Sequence, residues 1–115
     1  MATREDKPIA LLEMEQRMRQ MLDRSLKPYD AGRIIWKTTM SNMESYPEIM
    51  HPLWLIWGAL TDWVEVKPLE EADAEAAMLR ASLEWLGLEA GDAASRTAYF
   101  DKWIYEEMGY KRENK

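Results

Sequence analysis

His51, the single histidine of the chain, follows Glu48 by three residues, and Glu44 lies one helical turn earlier. Glu-x-x-His puts two ligating side chains on one helical face, the spacing used by di-iron carboxylate bundles. Such a centre needs a second copy of the motif and two further carboxylates, and here the motif is confined between Pro47 and Pro52. No metal and no cofactor is therefore expected. There is no cysteine, no Gly-x-Ser-x-Gly, no P-loop, no dinucleotide glycine fingerprint and no His-Glu-x-x-His. Nucleophilic chemistry would rest on His51 alone, so the expectation is a protein that is not an enzyme.

Two carboxylates fall inside apolar faces. On a helical wheel Asp101 lies among Ala94, Thr97, Ile104, Tyr105 and Met108, and Glu15 lies beside Leu22 and Leu26, one turn from Arg19. A buried carboxylate needs a cation or several donors, and its pKa can be shifted toward ligand binding or acid/base work. Glu15, Arg19, Asp101 and His51 are thus the candidate polar site. A structural ion pair, or a face turned toward solvent, is the simpler account of the same residues.

The tryptophans carry a stronger signal. Trp54, Trp57 and Trp63 lie within ten residues of one another in His51–Pro68. Trp57 and Trp63 share a helical face with Leu53, Ile56, Leu60 and Val64, which reads as core. Trp54 falls instead among Gly58, Thr61 and Glu65, so it must be covered by another helix, a partner or a ligand, or else stand exposed. Further on, Ala74, Met78, Ala81 and Trp85 recur at the spacing of a coiled-coil-like seam, opposite a stripe of Leu69, Ala72, Ala76, Leu79, Leu83 and Leu86. The leucine stripe is expected to be core and the seam to be an interface. Tyr99 and Trp103, on the far side of their helix from Phe100, Ile104 and Met108, are assigned to the same binding surface.

These residues must be positioned by helices. Periodicity predicts five of them, at about 8–25, 30–46, 52–65, 68–86 and 92–108, in one all-α bundle over residues 1–115 with short flexible ends. The β-branched Ile34, Ile35, Thr38 and Thr39 would suit a strand, but Arg33, Lys37, Ser41 and Glu44 form a clean polar face that decides for helix. Residues 46–51 read as a linker between prolines, Gly87 as a left-handed helix terminus, and Asp92 as a cap.

Charge bounds the partners. The net charge of −6 divides into +2 over residues 1–40, −9 over 41–101 and +1 over 102–115. An acidic middle argues against direct nucleic-acid binding, which needs clustered cations, and favours a basic partner surface or the chain's own basic ends. Glu65, Glu70, Glu71, Asp73 and Glu75 could imitate a nucleic acid, or could simply complement the dipole of the helix opening at Pro68. The apolar run Leu53–Leu60 is shorter than the ~20 residues a membrane span requires. The charged start of the chain does not read as a signal peptide. The sequence thus predicts an acidic, cytoplasmic helical interaction module, a homodimer or the binder of a protein with a basic surface, acting as an inhibitor or adaptor. A ligand-binding protein or enzyme with a tryptophan-lined pocket and a buried carboxylate is the alternative.

Overall fold

The computed structural model describes residues 8–88 and 93–109. Among them are five α-helices and no strand: α1 (Ile9–Leu22), α2 (Pro28–Ser41), α3 (Pro47–Val66), α4 (Glu71–Leu86) and α5 (Ala93–Asp101). A 3-10 turn, Pro68–Glu70, leads into α4, and α5 runs on into a π-helical segment, Lys102–Glu107. The expected all-α bundle is what the chain forms.

Each helix has a local reason. In α1 Leu11, Met14, Met18, Met21 and Leu22 recur at helical spacing as one apolar stripe, of which the first four are buried and Leu22 half-buried, with Glu15 buried beside them. The helix ends at Asp23 because Arg24 turns left-handed, at φ 72°, and the amides of Ser25 and Leu26 then reach the Gln20 carbonyl. In α2 the hydroxyls of Thr38 and Thr39 donate to the carbonyls of Ile34 and Trp36, at 2.9 and 2.6 Å. Hydroxyls satisfied within the preceding turn leave the β-branched residues no need of a sheet.

Two expectations about helix ends are not met. Residues 47–51 are not a linker: α3 starts at Pro47 and passes through Pro52 without breaking. Pro47 needs no partner for its missing N–H at the first position. Pro52 removes one hydrogen bond, a cost of roughly 3 kcal/mol in a helix interior, and burial of Met50, Leu53, Ile56 and Trp57 around it offsets that cost. Gly87 is right-handed, at φ −86°, and among the described residues the left-handed glycine is Gly109, at φ 80°. Asp92 lies outside the described residues.

The largest correction concerns α4, whose inside and outside are the reverse of the prediction. Ala74, Met78, Ala81 and Trp85 are buried, whereas Leu69 is fully exposed and Leu83 is 62% exposed. Space explains the reversal. α4 packs against α1, α2 and α3, and the sulfur of Met78 approaches so near Gly32 that a Cβ there would lie 3.3 Å from it. Helices come this close only through small side chains. Ala74, Ala77 and Ala81 allow the approach while Met78 and Trp85 fill what remains.

Candidate functional site

α2 and α3 run antiparallel, as three successive contacts show. The Tyr29 hydroxyl donates to Glu65 at 2.7 Å, Gly32 packs on Thr61, and Trp36 lies across Gly58. The two glycines bring the helix axes together, and the side chains beyond them splay apart. The result is an open groove of about 500 Å³ lined by Trp36, Trp54, Leu55 and Ala59, with Arg33, Asp62 and Glu65 as its charged groups. Trp54 is half-buried, with its ring centroid 5.8 Å from that of His51. Its wheel position therefore read correctly: Trp54 is off the core face and lines a concave surface. Trp36, which the sequence reading did not single out, is its companion. Only the pairing of Trp36 with a glycine on another helix could have revealed it, and such a pairing is invisible without the fold.

The second surface is the outer face of α4. Leu69, in the 3-10 turn that leads into α4, is exposed, as are Ala72, Ala76 and Leu83, while Leu79 and Leu86 are half-buried. Beside it, between α4 and the turn after α1, lies a hollow of about 310 Å³ lined by Ala72, Ala76, Leu79, Met21, Leu26 and Pro28, with Arg24, Lys27 and Glu75 at its margin.

The residues assigned to an interface lie elsewhere. Ala74, Met78, Ala81, Trp85, Tyr99 and Trp103 are all in the core of the single chain, so they are closed to a partner in this fold. Their aromatic members form one cluster: the Trp85 and Tyr99 rings meet edge to face with centroids 5.2 Å apart, and Tyr99 lies 6.4 Å from Trp103. The Tyr99 hydroxyl donates to the Ala81 carbonyl at 2.8 Å. Burial, and after it the charge of Glu84, pushes the pKa of this hydroxyl above its ordinary value.

The candidate polar residues occupy three helices and line neither hollow. Glu15 is 3% exposed and accepts a 2.7 Å hydrogen bond from the Trp85 indole, which binds α1 to α4. Arg19 and His51 are exposed and Asp101 is half-buried at the end of α5. Among the described residues no group of three or more His, Asp or Glu side chains is arranged to hold a metal.

The acidic run is engaged by the chain itself. Lys27 bridges Glu71 and Glu75, at 2.6 and 2.8 Å; Glu65 takes the Tyr29 hydroxyl, and Glu70 takes the Trp63 indole at 2.7 Å. Hydrogen bonding to Glu71 and then Glu75 raises the Lys27 pKa above the usual lysine value. Further along, Glu84 accepts from Lys102, at 2.8 and 2.9 Å, and from the Trp103 indole at 2.9 Å. Burial works against the charged form of Glu84, but the donors Lys102 and Trp103, with the charges of Lys102 and Arg80, hold its carboxyl below the usual range. Arg80 lies over the Trp103 ring, 5.0 Å from its centre.

No described helix is long and apolar enough to cross a membrane. Comparison with protein-family models, characterised proteins and solved structures finds no match for this chain.

Proposed function

We propose that this chain is a non-enzymatic protein–protein interaction module that docks an apolar helix on the outer face of α4. The exposure of Leu69 and Leu83 carries this reading. Leucines outside the core add little to monomer stability, whereas burial against a partner yields about 25 cal/mol per Å² of apolar surface. Six apolar positions at alternating spacings of three and four are a ready seam for a second helix. The acidic carboxylates beside the seam contribute less to partner choice than their number implies, because Lys27, Tyr29 and Trp63 already engage four of the five.

The test is affinity capture with the wild-type chain and with the double variant Leu69→Glu, Leu83→Glu. Polypeptides retained by the first and lost by the second are expected. An identical set from both baits removes α4 as the docking face.

The α2/α3 groove supports a second reading, a small-ligand protein, because Trp36 and Trp54 border one concave surface large enough for a ligand. Tryptophan fluorescence titrated with a library of small molecules, with Trp54→Phe as control, checks it. A response lost in the control favours the groove.

A further inference from the structure

The outer face of α4 is uneven, and its unevenness matches its own reversal. The order along it is Leu69, Ala72, Ala76, Leu79, Leu83, Leu86. After Leu69, which projects fully at the first end, the two small residues Ala72 and Ala76 come first and the large Leu79, Leu83 and Leu86 follow. Where the alanines lie, the 310 Å³ hollow opens between α4 and the turn after α1. Toward the other end Leu83 projects with 62% of its surface exposed. One chain thus offers a knob and a hole on the same face, displaced along the helix.

Resting on the reading of this face as a docking surface, we infer that its occupant is a second copy of the chain, with the two α4 helices antiparallel about a two-fold axis. In that arrangement Leu69 faces the partner's Leu86, Ala72 faces the partner's Leu83, and Ala76 faces the partner's Leu79. Each central layer then joins one small and one large side chain, and each projecting Leu83 enters the other chain's hollow. A two-fold contact uses one patch twice, so the patch must complement itself. A parallel pair would stack alanine on alanine in two adjacent layers and leave both hollows unfilled, forfeiting the contacts their linings would make.

Charge selects the same direction. Glu70, Glu71, Asp73 and Glu75 gather at the start of α4 and Arg80 stands in its second half. Antiparallel pairing sets Asp73 near the partner's Arg80 on each side of the axis. Parallel pairing would bring the two acidic ends together, and like charges so placed repel.

Sedimentation of the full chain across a range of concentrations is the first measurement, and a concentration-dependent dimer is expected. Leu83→Glu should weaken its dissociation constant by about a hundredfold or more, since the axis applies the change at two places, with unchanged circular dichroism. Leu69→Glu is the second variant, should the first perturb folding. The chain has no cysteine, so introduced thiols report direction. Chains carrying Leu69→Cys should cross-link to chains carrying Leu86→Cys, and Leu69→Cys alone should not, because antiparallel pairing holds its two copies about 25 Å apart along the helix. A wild type that stays monomeric, a dimer indifferent to both glutamates, or efficient Leu69→Cys self-cross-linking each overturns the inference. In the monomeric case the capture comparison still decides whether α4 docks a different protein.

Discussion

Trp36 crosses α3 at Gly58, so closely that a Cβ on that glycine would lie 3.1 Å from the indole nitrogen. Gly32 makes the corresponding approach from α2, but what it meets is core: Thr61 Cγ2 at 3.1 Å, Met78 Sδ at 3.3 Å and Trp57 Cε3 at 3.4 Å. The same substitution should therefore act differently at the two sites. In Gly58→Ala the half-exposed Trp36 can tilt outward, and alanine's helical advantage of about 1 kcal/mol should leave stability level or slightly improved. In Gly32→Ala three packed side chains must yield, at a cost of about 1–3 kcal/mol. Urea denaturation of both variants checks the contrast; equal effects would mean that Trp36 is as confined as Trp57.

Met78 and Leu83 test which face of α4 is inside. Met78→Ala should destabilise the chain by about 2–5 kcal/mol, and Leu83→Ala should fall within about 0.5 kcal/mol at concentrations where the chain is monomeric. The reverse ranking would restore the leucine stripe to the core.

The hydrogen bond from Trp85 to Glu15 is buried. Trp85→Phe keeps an aromatic ring beside Tyr99 and Phe100 but removes the donor. A buried carboxylate that loses a donor costs about 1–3 kcal/mol, readable as a lowered thermal midpoint. Glu15→Gln in the Trp85→Phe background should recover part of the loss, because a neutral amide suffers less from the missing donor. No recovery would show that ring packing, and not the indole N–H, was the larger contribution.

Glu84 should make stability sensitive to acid. A carboxyl whose folded-state pKa lies below its unfolded value contributes stability that is present above the ordinary carboxylate pKa of about 4.3 and is lost as the pH falls through the depressed folded value. Wild type should exceed Glu84→Gln in urea midpoint at neutral pH, and the two curves should converge below about pH 4 as Glu84 takes up its proton. A gap that stays constant into acid would assign the effect to geometry instead of charge.

Where a helix carries one apolar stripe, periodicity read it correctly: α1 buries Met14, Met18 and Met21, α2 keeps Arg33 and Lys37 outside, and α3 buries Leu53, Ile56, Trp57 and Leu60. α4 has two such stripes, and periodicity ranks neither. Leucine's larger transfer energy favoured the wrong one, because room and not hydrophobicity decides which face enters a crowded core. Trp54 was legible because it broke its helix's pattern. The partners of Glu71, Glu75 and Glu84 were not, since Lys27, just before α2, and Lys102, at the start of the π-helical segment, reach them from distant parts of the chain. Four of the five carboxylates between Glu65 and Glu75 are engaged within the chain by Lys27, Tyr29 and Trp63.

The contact between Glu15 and Trp85 spans 70 residues of chain, while the Tyr29–Glu65 contact that registers α2 on α3 spans 36. Doubling a loop adds only about 0.6 kcal/mol of closure entropy, so the longer span alone is no great obstacle. The greater constraint on order is that α1 gains its full contact with α4 only once the α2/α3 hairpin has drawn the two together. Folding in that order, with the hairpin as nucleus and the joint between α1 and α4 closing after the barrier, is a prediction that rates can test. Weakening that joint should steepen the path downhill from the native state and raise the unfolding rate, leaving the refolding rate almost where it was. On that order the first helix is the latch of this bundle, and through Met21 it also walls the hollow beside α4.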